Sequence, residues 1–294
     1  MLEQCRLCPR ECGIDRTRGQ LGFCGAGEEI KIARAALHFW EEPCISGTQG
    51  SGTVFFSCCT MKCVYCQNYP ISTLNQGLVV TVEELSDRFL DLQKQGAHNI
   101  NLVTPTHFVP QIIEALKLAK SQGLNLPVVY NCGGYEKVET LKLLKGYVDI
   151  YMPDMKYYDD RYAVEYSSAP NYFATASRAI KEMVRQMGKP VFDENGIMQK
   201  GVIVRHMMLP GLLFDSKKIL DYLYDTYRND IYISIMSQYT PMPQVKGVQR
   251  LSQKLKAEHY EAMIAYCEEK GIENAFIQDG EAADESFIPP FEGK

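Results

Sequence analysis

Residues Cys59-Thr60-Met61-Lys62-Cys63-Val64-Tyr65-Cys66 follow directly on the apolar run Thr53-Val54-Phe55-Phe56, so three thiols spaced x3 and then x2 leave the end of an expected strand. Iron–sulfur cubanes are usually held by four cysteine thiolates on short, tightly spaced loops that wrap one small cluster. Three ligands leave one iron open to a small molecule, which points to a reagent site rather than a simple electron relay. Zinc is the rival for closely spaced cysteines, but structural zinc is closed by four ligands, commonly as paired CxxC units. No fourth Cys or His follows nearby. Burial as small apolar side chains accounts poorly for three cysteines within eight residues.

The CxxxCxxC loop after the first strand resembles the signature of the radical S-adenosylmethionine (SAM) superfamily, and the aromatic Tyr65 before the last Cys fits it. Three further stretches narrow the resemblance: Cys63-Val64-Tyr65-Cys66-Gln67-Asn68-Tyr69, the upstream Cys5-Arg6-Leu7-Cys8-Pro9-Arg10-Glu11-Cys12, and Gly47-Thr48-Gln49-Gly50-Ser51-Gly52-Thr53. Together they are similar to the group related to the pyruvate formate-lyase activating enzyme. The resemblance covers nearly the whole chain, and its cysteine loop is specific for the superfamily but silent on the substrate. It implies a [4Fe-4S] cluster on Cys59, Cys63 and Cys66 that binds SAM through its amino and carboxylate groups. It also implies reductive cleavage of SAM to methionine and a 5′-deoxyadenosyl radical that abstracts hydrogen from a substrate, with a flavodoxin- or ferredoxin-type protein as reductant. The cofactor supplies the difficult chemistry while the protein orients it and excludes water, in keeping with the lack of a nucleophile or general-base constellation.

At 294 residues the chain exceeds the usual single-domain length, yet barrel-like α/β folds reach this size as one domain. Hydrophobic content of 46% and charged content of 23% are those of an ordinary globular protein with a sizeable core. A formal charge of −5 gives no basic footprint for nucleic acid. Eleven cysteines, with no charged start and apolar core of a secretory signal in Met1-Leu2-Glu3-Gln4-Cys5, argue for metal ligation in a reducing compartment rather than disulfides. No apolar stretch is long enough to span a bilayer, and a cytoplasmic location is expected.

Residues 1–40 are expected to form a separate unit. Cys5-x2-Cys8-x3-Cys12-x11-Cys24 offers four ligands among glycines with little apolar periodicity, too few apolar residues for a core. A metal would supply the missing folding energy. Four ligands and the knuckle-like Gly22-Phe23-Cys24-Gly25 favour zinc; the three-plus-one spacing and Cys8-Pro9 favour a second iron–sulfur cluster. Residues 38–52 read as a connector, with Trp40 a packing residue and Cys44 and Cys58 buried thiols outside the ligand set.

From residue 53 onward, β-rich runs alternate with amphipathic helices, as in a parallel sheet of βα units. The expected strands are 53–57, 99–103, 127–130, 148–152, 202–209 and 231–236. A helix opens on the capping box Thr81-Val82-Glu83-Glu84 and sets Leu85, Phe89 and Leu92 on one face; others are expected around 112–119, 138–144, 177–187, 219–227 and 255–266. Asn195-Gly196 signals a hairpin with a tight primed turn. The fold class is α/β: an incomplete (β/α)6 TIM-like barrel over 41–294, carrying the small Cys-rich N-terminal metal-binding unit.

Chemistry in such barrels gathers at the carboxyl ends of the strands. The second strand ends on Thr104-Pro105-Thr106-His107, where the superfamily more often has a Gly-Gly-Glu stretch that binds the SAM amino group. Thr104 and Thr106 offer hydroxyl acceptors for that role, and His107 either donates to a substrate or caps the helix that follows. The third strand ends on Asn131-Cys132-Gly133-Gly134, and the resemblance gives Asn131 a ribose or cation contact; whether Cys132 touches substrate is open. Asp154 and Lys156 share one side of an extended segment, and the resemblance gives Lys156 the SAM carboxylate. Of Arg205 and His206 only one can face inward. The resemblance puts Arg205 near the cofactor, where a bound carboxylate would balance its charge, and Gln238 on the adenine side. Gln278-Asp279-Gly280-Glu281 is assigned no chemistry.

Two enzyme readings follow: a glycyl-radical-enzyme activase acting on a polypeptide, or a radical SAM enzyme that modifies a peptide or small molecule. A third, of another class, is a non-catalytic iron–sulfur electron-transfer or scaffold protein; polar residues at several strand ends count against it. A polypeptide substrate is expected because an open barrel wall with no evident lid domain suits a large partner.

Overall fold

The computed structural model describes residues 1–245 and 247–278. The chain enters its sheet on β1 (Ile30–His38), dips through the short helix α1 (Pro43–Ser46) and emerges on β2 (Ser51–Phe56). After α2 (Tyr69–Ser72) and β3 (Leu78–Val80), strand and helix alternate: α3 (Val82–Lys94), β4 (Ile100–Val103), α4 (Val109–Ser121), β5 (Val128–Cys132), α5 (Val138–Leu143) and β6 (Ile150–Pro153). Two helices, α6 (Asp160–Ser167) and α7 (Tyr172–Met187), precede the hairpin of β7 (Val191–Phe192) and β8 (Met198–Met207). The described part closes with α8 (Leu213–Tyr227), β9 (Tyr232–Met236), α9 (Ala257–Glu269) and β10 (Ala275–Ile277).

Strands β2, β4, β5, β6, β8, β9 and β10 run parallel in that order, while β1 pairs antiparallel with both β2 and β3. Among the described residues no pairing joins the two ends of this order, so the wall stays open.

Every residue of β2, β5 and β6 is buried, as expected where helices cover one face of a parallel sheet and side chains fill the other. Strand alternation divides them. Val128, Tyr130 and Cys132 face the helices with Leu102 and Val204, whereas Val129, Ile150, Met152, Met198 and Ile203 pack with Cys44 and Ile45 of α1. Helix α1 therefore plugs the barrel interior from the amino ends of the strands. The same inward register carries Asn131 and Arg205 above this apolar floor.

All six expected strands are present, with β10 a seventh parallel strand too short to stand out by pattern. The segment 1–40 contributes β1 to the sheet, and 38–52, expected as a connector, folds instead into the α1 plug. Trp40 is 63% exposed. The hairpin forms at Asn195-Gly196, but only Gly196 takes a positive φ (77°). Asp193 accepts the backbone N–H groups of Asn195 and Ile197 and so builds a wider turn than the tight primed one. Asp279, Gly280 and Glu281 lie outside the described residues.

Helix α3 has the expected capping box: Glu84 N–H donates to Thr81 Oγ1 (3.2 Å) and Thr81 N–H to Glu84 Oε2 (2.8 Å), while Leu85, Phe89 and Leu92 are buried. Thr81→Ala should lower stability by about 1 kcal/mol, read as a lower urea midpoint with the slope unchanged; an unchanged midpoint would mean that the cap carries no stability.

Candidate active site

Strand β2 ends at Phe56, and the loop that follows turns sharply because Cys58 and Lys62 adopt left-handed backbone angles (φ 74° and 59°). The first of these sends Cys58 into the core, 2% exposed, where burial pushes its thiol up to about 12. Cys59, Cys63 and Cys66 form the other side of the loop, and each sulfur receives a donor. Met61 N–H reaches Cys59 Sγ at 3.4 Å, Ser167 Oγ donates to Cys63 Sγ at 2.9 Å, and Ser72 Oγ donates to Cys66 Sγ at 3.3 Å. Such second-layer donors orient and tune metal-bound thiolates.

The bond to Cys63 ends a buried chain. Because Ser167 spends its proton on the sulfur, Tyr157 must donate to Ser167 Oγ (2.7 Å) and Tyr65 to Tyr157 (2.6 Å). Burial raises all three loop thiols above their ordinary range, Cys66 to about 12. A positively charged metal reverses that preference, since the thiolate is the ligand form. Among the described residues, no three His, Cys, Asp or Glu side chains gather as ligands of a single ion. Cubane ligands sit on separate irons, so their sulfurs ring a volume rather than a point. The donor set and its hydrogen bonds fit such a cluster.

Beside this loop the strand ends form one charged network. Arg205 on β8 donates through Nη1 to Glu41 Oε2 (3.0 Å), through Nη2 to Asn131 Oδ1 (2.6 Å) and through Nε to Asp154 Oδ1 (3.2 Å). Lys156 Nζ pairs with the other oxygen of Asp154 at 2.5 Å. Glu41 Oε1 also accepts from Asn101 Nδ2 (3.1 Å) and Asn131 Nδ2 (3.3 Å). Burial opposes the charges of Asp154, Lys156 and Arg205, but the partners win: Asp154 titrates lower than usual, and Lys156 and Arg205 higher. The Lys156 ammonium also acts on Cys59 and Cys63, opposing the upward push of burial, which places a cation next to the cluster loop.

His206, on the opposite face of β8, is 3% exposed. Its Nδ1 pairs with Met155 O (2.7 Å) and its Nε2 with Ser216 Oγ (2.9 Å), and burial lowers it to about 4. Backbone supports come from Tyr172, whose hydroxyl lies 2.9 Å from Gly133 O and Asp154 O and accepts from Lys156 N–H at 2.9 Å. At Gly134 (φ 76°) an added Cβ would lie 2.1 Å from Asp154 O, so this glycine lets two strand ends approach each other rather than a ligand.

The remaining expected residues divide. Thr104 adopts a φ of 58°, a strained position for a β-branched residue of the kind that clusters at functional sites; its N–H donates to Asn131 O (2.8 Å). Thr106 turns into the core, where its hydroxyl donates to Glu136 Oε1 (2.6 Å), with Tyr130 on the other oxygen (3.0 Å); burial raises Glu136 to about 7. His107 does not cap α4, because its Nε2 is held by Ser57 O at 2.6 Å. Cys132 is buried, 2% exposed, on the helix-facing side. Gln238 stands apart from the Arg205 network and meets Gln67, just past the last loop cysteine, through its backbone oxygen (3.5 Å). Cys5, Cys8, Cys12 and Cys24 line a single cavity.

Sequence reasoning passed over Glu41 and Asn101. The available signals were the acidic pair Glu41-Glu42 ahead of Pro43 and the alternating Asn99-x-Asn101 within an apolar strand.

Comparison with known proteins bears on this geometry. Residues 53–223 match the model of the Radical SAM superfamily. The chain is 27% identical over 283 residues to the uncharacterized protein MJ0674 of Methanocaldococcus jannaschii, covering 93% of this chain and 77% of that one. Its fold is similar to a radical SAM methyltransferase from Sphaerobacter thermophilus (TM-score 0.51, 13% identity, 78% of this chain and 66% of that one). It is also similar to HydG, a maturase of the [FeFe]-hydrogenase (TM-score 0.52, 14% identity, 78% and 52%). The chain spans about half the length of several such structures, 46% of Streptococcus suis SuiB among them. The superfamily match opens on the strand that leads into the cysteine loop and runs through more than half of the sequence, and on that extent the chain belongs to the Radical SAM superfamily.

Proposed function

We propose that the chain is a SAM-cleaving enzyme that abstracts hydrogen from a polypeptide, in the manner of a glycyl-radical-enzyme activase. The observation that carries the SAM reading is the placement of Lys156, paired to Asp154 at 2.5 Å and within electrostatic reach of Cys59 and Cys63. Members of the superfamily use a [4Fe-4S] cluster and SAM, which when bound supply the electron and the carbon radical for hydrogen abstraction.

In this reading Cys59, Cys63 and Cys66 hold the cluster and leave one iron for the amino acid end of SAM. Lys156 offers a cation to its carboxylate. Asp154, Asn131 and the strained Thr104 edge provide acceptors for its amino and ribose groups, and Gln238 borders the adenine side. Arg205 holds Asp154 and Asn131 in place from below, with Glu41 as its third partner. The Tyr65–Tyr157–Ser167 chain steadies the Cys63 sulfur. The open wall of the sheet, beside polar strand ends, is what favours a polypeptide over a small enclosed substrate. A flavodoxin- or ferredoxin-type protein would supply the electron.

Anaerobically reconstituted Cys58→Ala should retain the cluster absorbance, whereas Cys63→Ala should lose it. Ser167→Ala should keep the cluster with its potential moved to more negative values, since hydrogen bonds to sulfur favour the reduced state. Loss of the cluster in Cys58→Ala alone would overturn the ligand assignment.

The activase reading is tested by electron paramagnetic resonance on reduced enzyme mixed with SAM and glycyl-radical enzymes of the same organism. A stable glycine-centred doublet on a partner is expected. Turnover of a free metabolite with no doublet on any partner would contradict it.

A further inference from the structure

The N-terminal segment carries an organised site of its own. Cys5, Cys8, Cys12 and Cys24 come from one turn-rich stretch, yet all four line one cavity together with Arg16 and His107. None of them is in a disulfide. The room is made by backbone: at Gly22 an added Cβ would stand 2.9 Å from Cys12 Sγ.

Two further observations call for a ligand with metal–thiolate chemistry. Arg16 is 1% exposed, and its guanidinium donates to Gly27 O (2.7 Å) and His107 O (2.6 Å) and approaches Cys5 Sγ at 4.0 Å. Among the described residues no carboxylate pairs with it, although a buried charge requires a counter-charge. His107 is 2% exposed. Because its Nε2 faces a carbonyl, that nitrogen carries the proton, and Nδ1 is left as a buried lone pair without a partner among the described residues.

The cavity also abuts the cluster loop. Arg10 Nε donates to Thr60 O (2.9 Å), His107 holds the carbonyl of Ser57, and Cys24 shares a packed cluster with Cys58 and Met61.

We propose that Cys5, Cys8, Cys12 and Cys24 bind a second iron–sulfur cluster, whose negative charge Arg16 balances and which anchors the N-terminal segment against the base of the cluster loop. Among the described residues the four sulfurs do not converge on one point as ligands of a single ion, which disfavours zinc, and four thiolates on a cluster carry excess negative charge, matching the uncompensated guanidinium. With only a turn of 3-10 helix at Arg16–Arg18 as regular structure before β1, the segment gains from the metal the order that apolar burial does not supply.

The test is independent of the SAM reading, since it uses the full chain with Cys59, Cys63 and Cys66 all replaced by Ala. Purified anaerobically, this variant should retain about four irons with matching sulfide. Additional Cys8→Ala and Cys24→Ala substitutions should reduce the bound iron at least fivefold. Bound iron and sulfide support the proposal; a folded variant with neither, or with zinc alone, overturns it.

A second measurement needs no variant. Cys12 is exposed, so as a free thiol it would be alkylated rapidly in the native protein. Under the proposal its alkylation is slow and accelerates at least tenfold once a strong chelator or acid strips the metal. Rapid alkylation of Cys12 in the untreated anaerobic protein would overturn the proposal even if the triple variant failed to fold.

Discussion

A single guanidinium inside the barrel organises the site. Arg205 projects inward from β8 above an apolar floor, with its side chain 15% exposed, and its charge is met by Glu41, Asp154 and Asn131 from three different parts of the chain. Removing one partner of a buried ion pair typically costs about 3–5 kcal/mol, because the other charge is left uncompensated. The plug α1 is part of the same arrangement. It packs Cys44 and Ile45 into the interior, and the two residues before it deliver Glu41 to the guanidinium and Glu42 to a buried position where burial raises its carboxyl.

This constraint separates support from chemistry. Arg205 is held by three protein side chains, one on each of its nitrogens. Lys156, by contrast, donates from its ammonium to one side chain among the described residues, Asp154, and keeps donor capacity for a ligand. The fold thus places its exchangeable cation next to the cysteines and its fixed cation beneath. The hydrogen-bond chain ending on Cys63 follows the same logic, since each buried hydroxyl has its proton direction set by the sulfur at the end.

Local sequence made the cysteine loop, the six βα units and the α3 cap readable, because spacing, period and capping are all short-range properties. Alternation likewise foretold that Arg205 and His206 would part, and that Asp154 and Lys156 would act together. Long-range partners were not readable. Glu41 and Arg205 are 164 residues apart, and the acidic pair Glu41-Glu42 ahead of Pro43 marks the segment without pointing to its partner. Thr106 and His107 show the same limit: their hydroxyl-rich stretch looks like a strand-end site, yet a short turn of 3-10 helix at Thr106–Phe108 rotates both into the core, toward Glu136 and Ser57. At Thr104 the backbone takes a glycine-like angle without a glycine, which no propensity would foresee.

The central claim is that the Lys156 end of this network and the cysteine loop together form a SAM-cleaving site. It is tested most directly by quantifying 5′-deoxyadenosine and methionine after anaerobic reduction of the reconstituted protein with SAM. The wild-type chain should form both in equal amounts, and Lys156→Met should keep its cluster absorbance while losing most of the cleavage through weaker SAM binding. A wild-type protein with a complete, reducible cluster that bound SAM but released neither product would contradict the account.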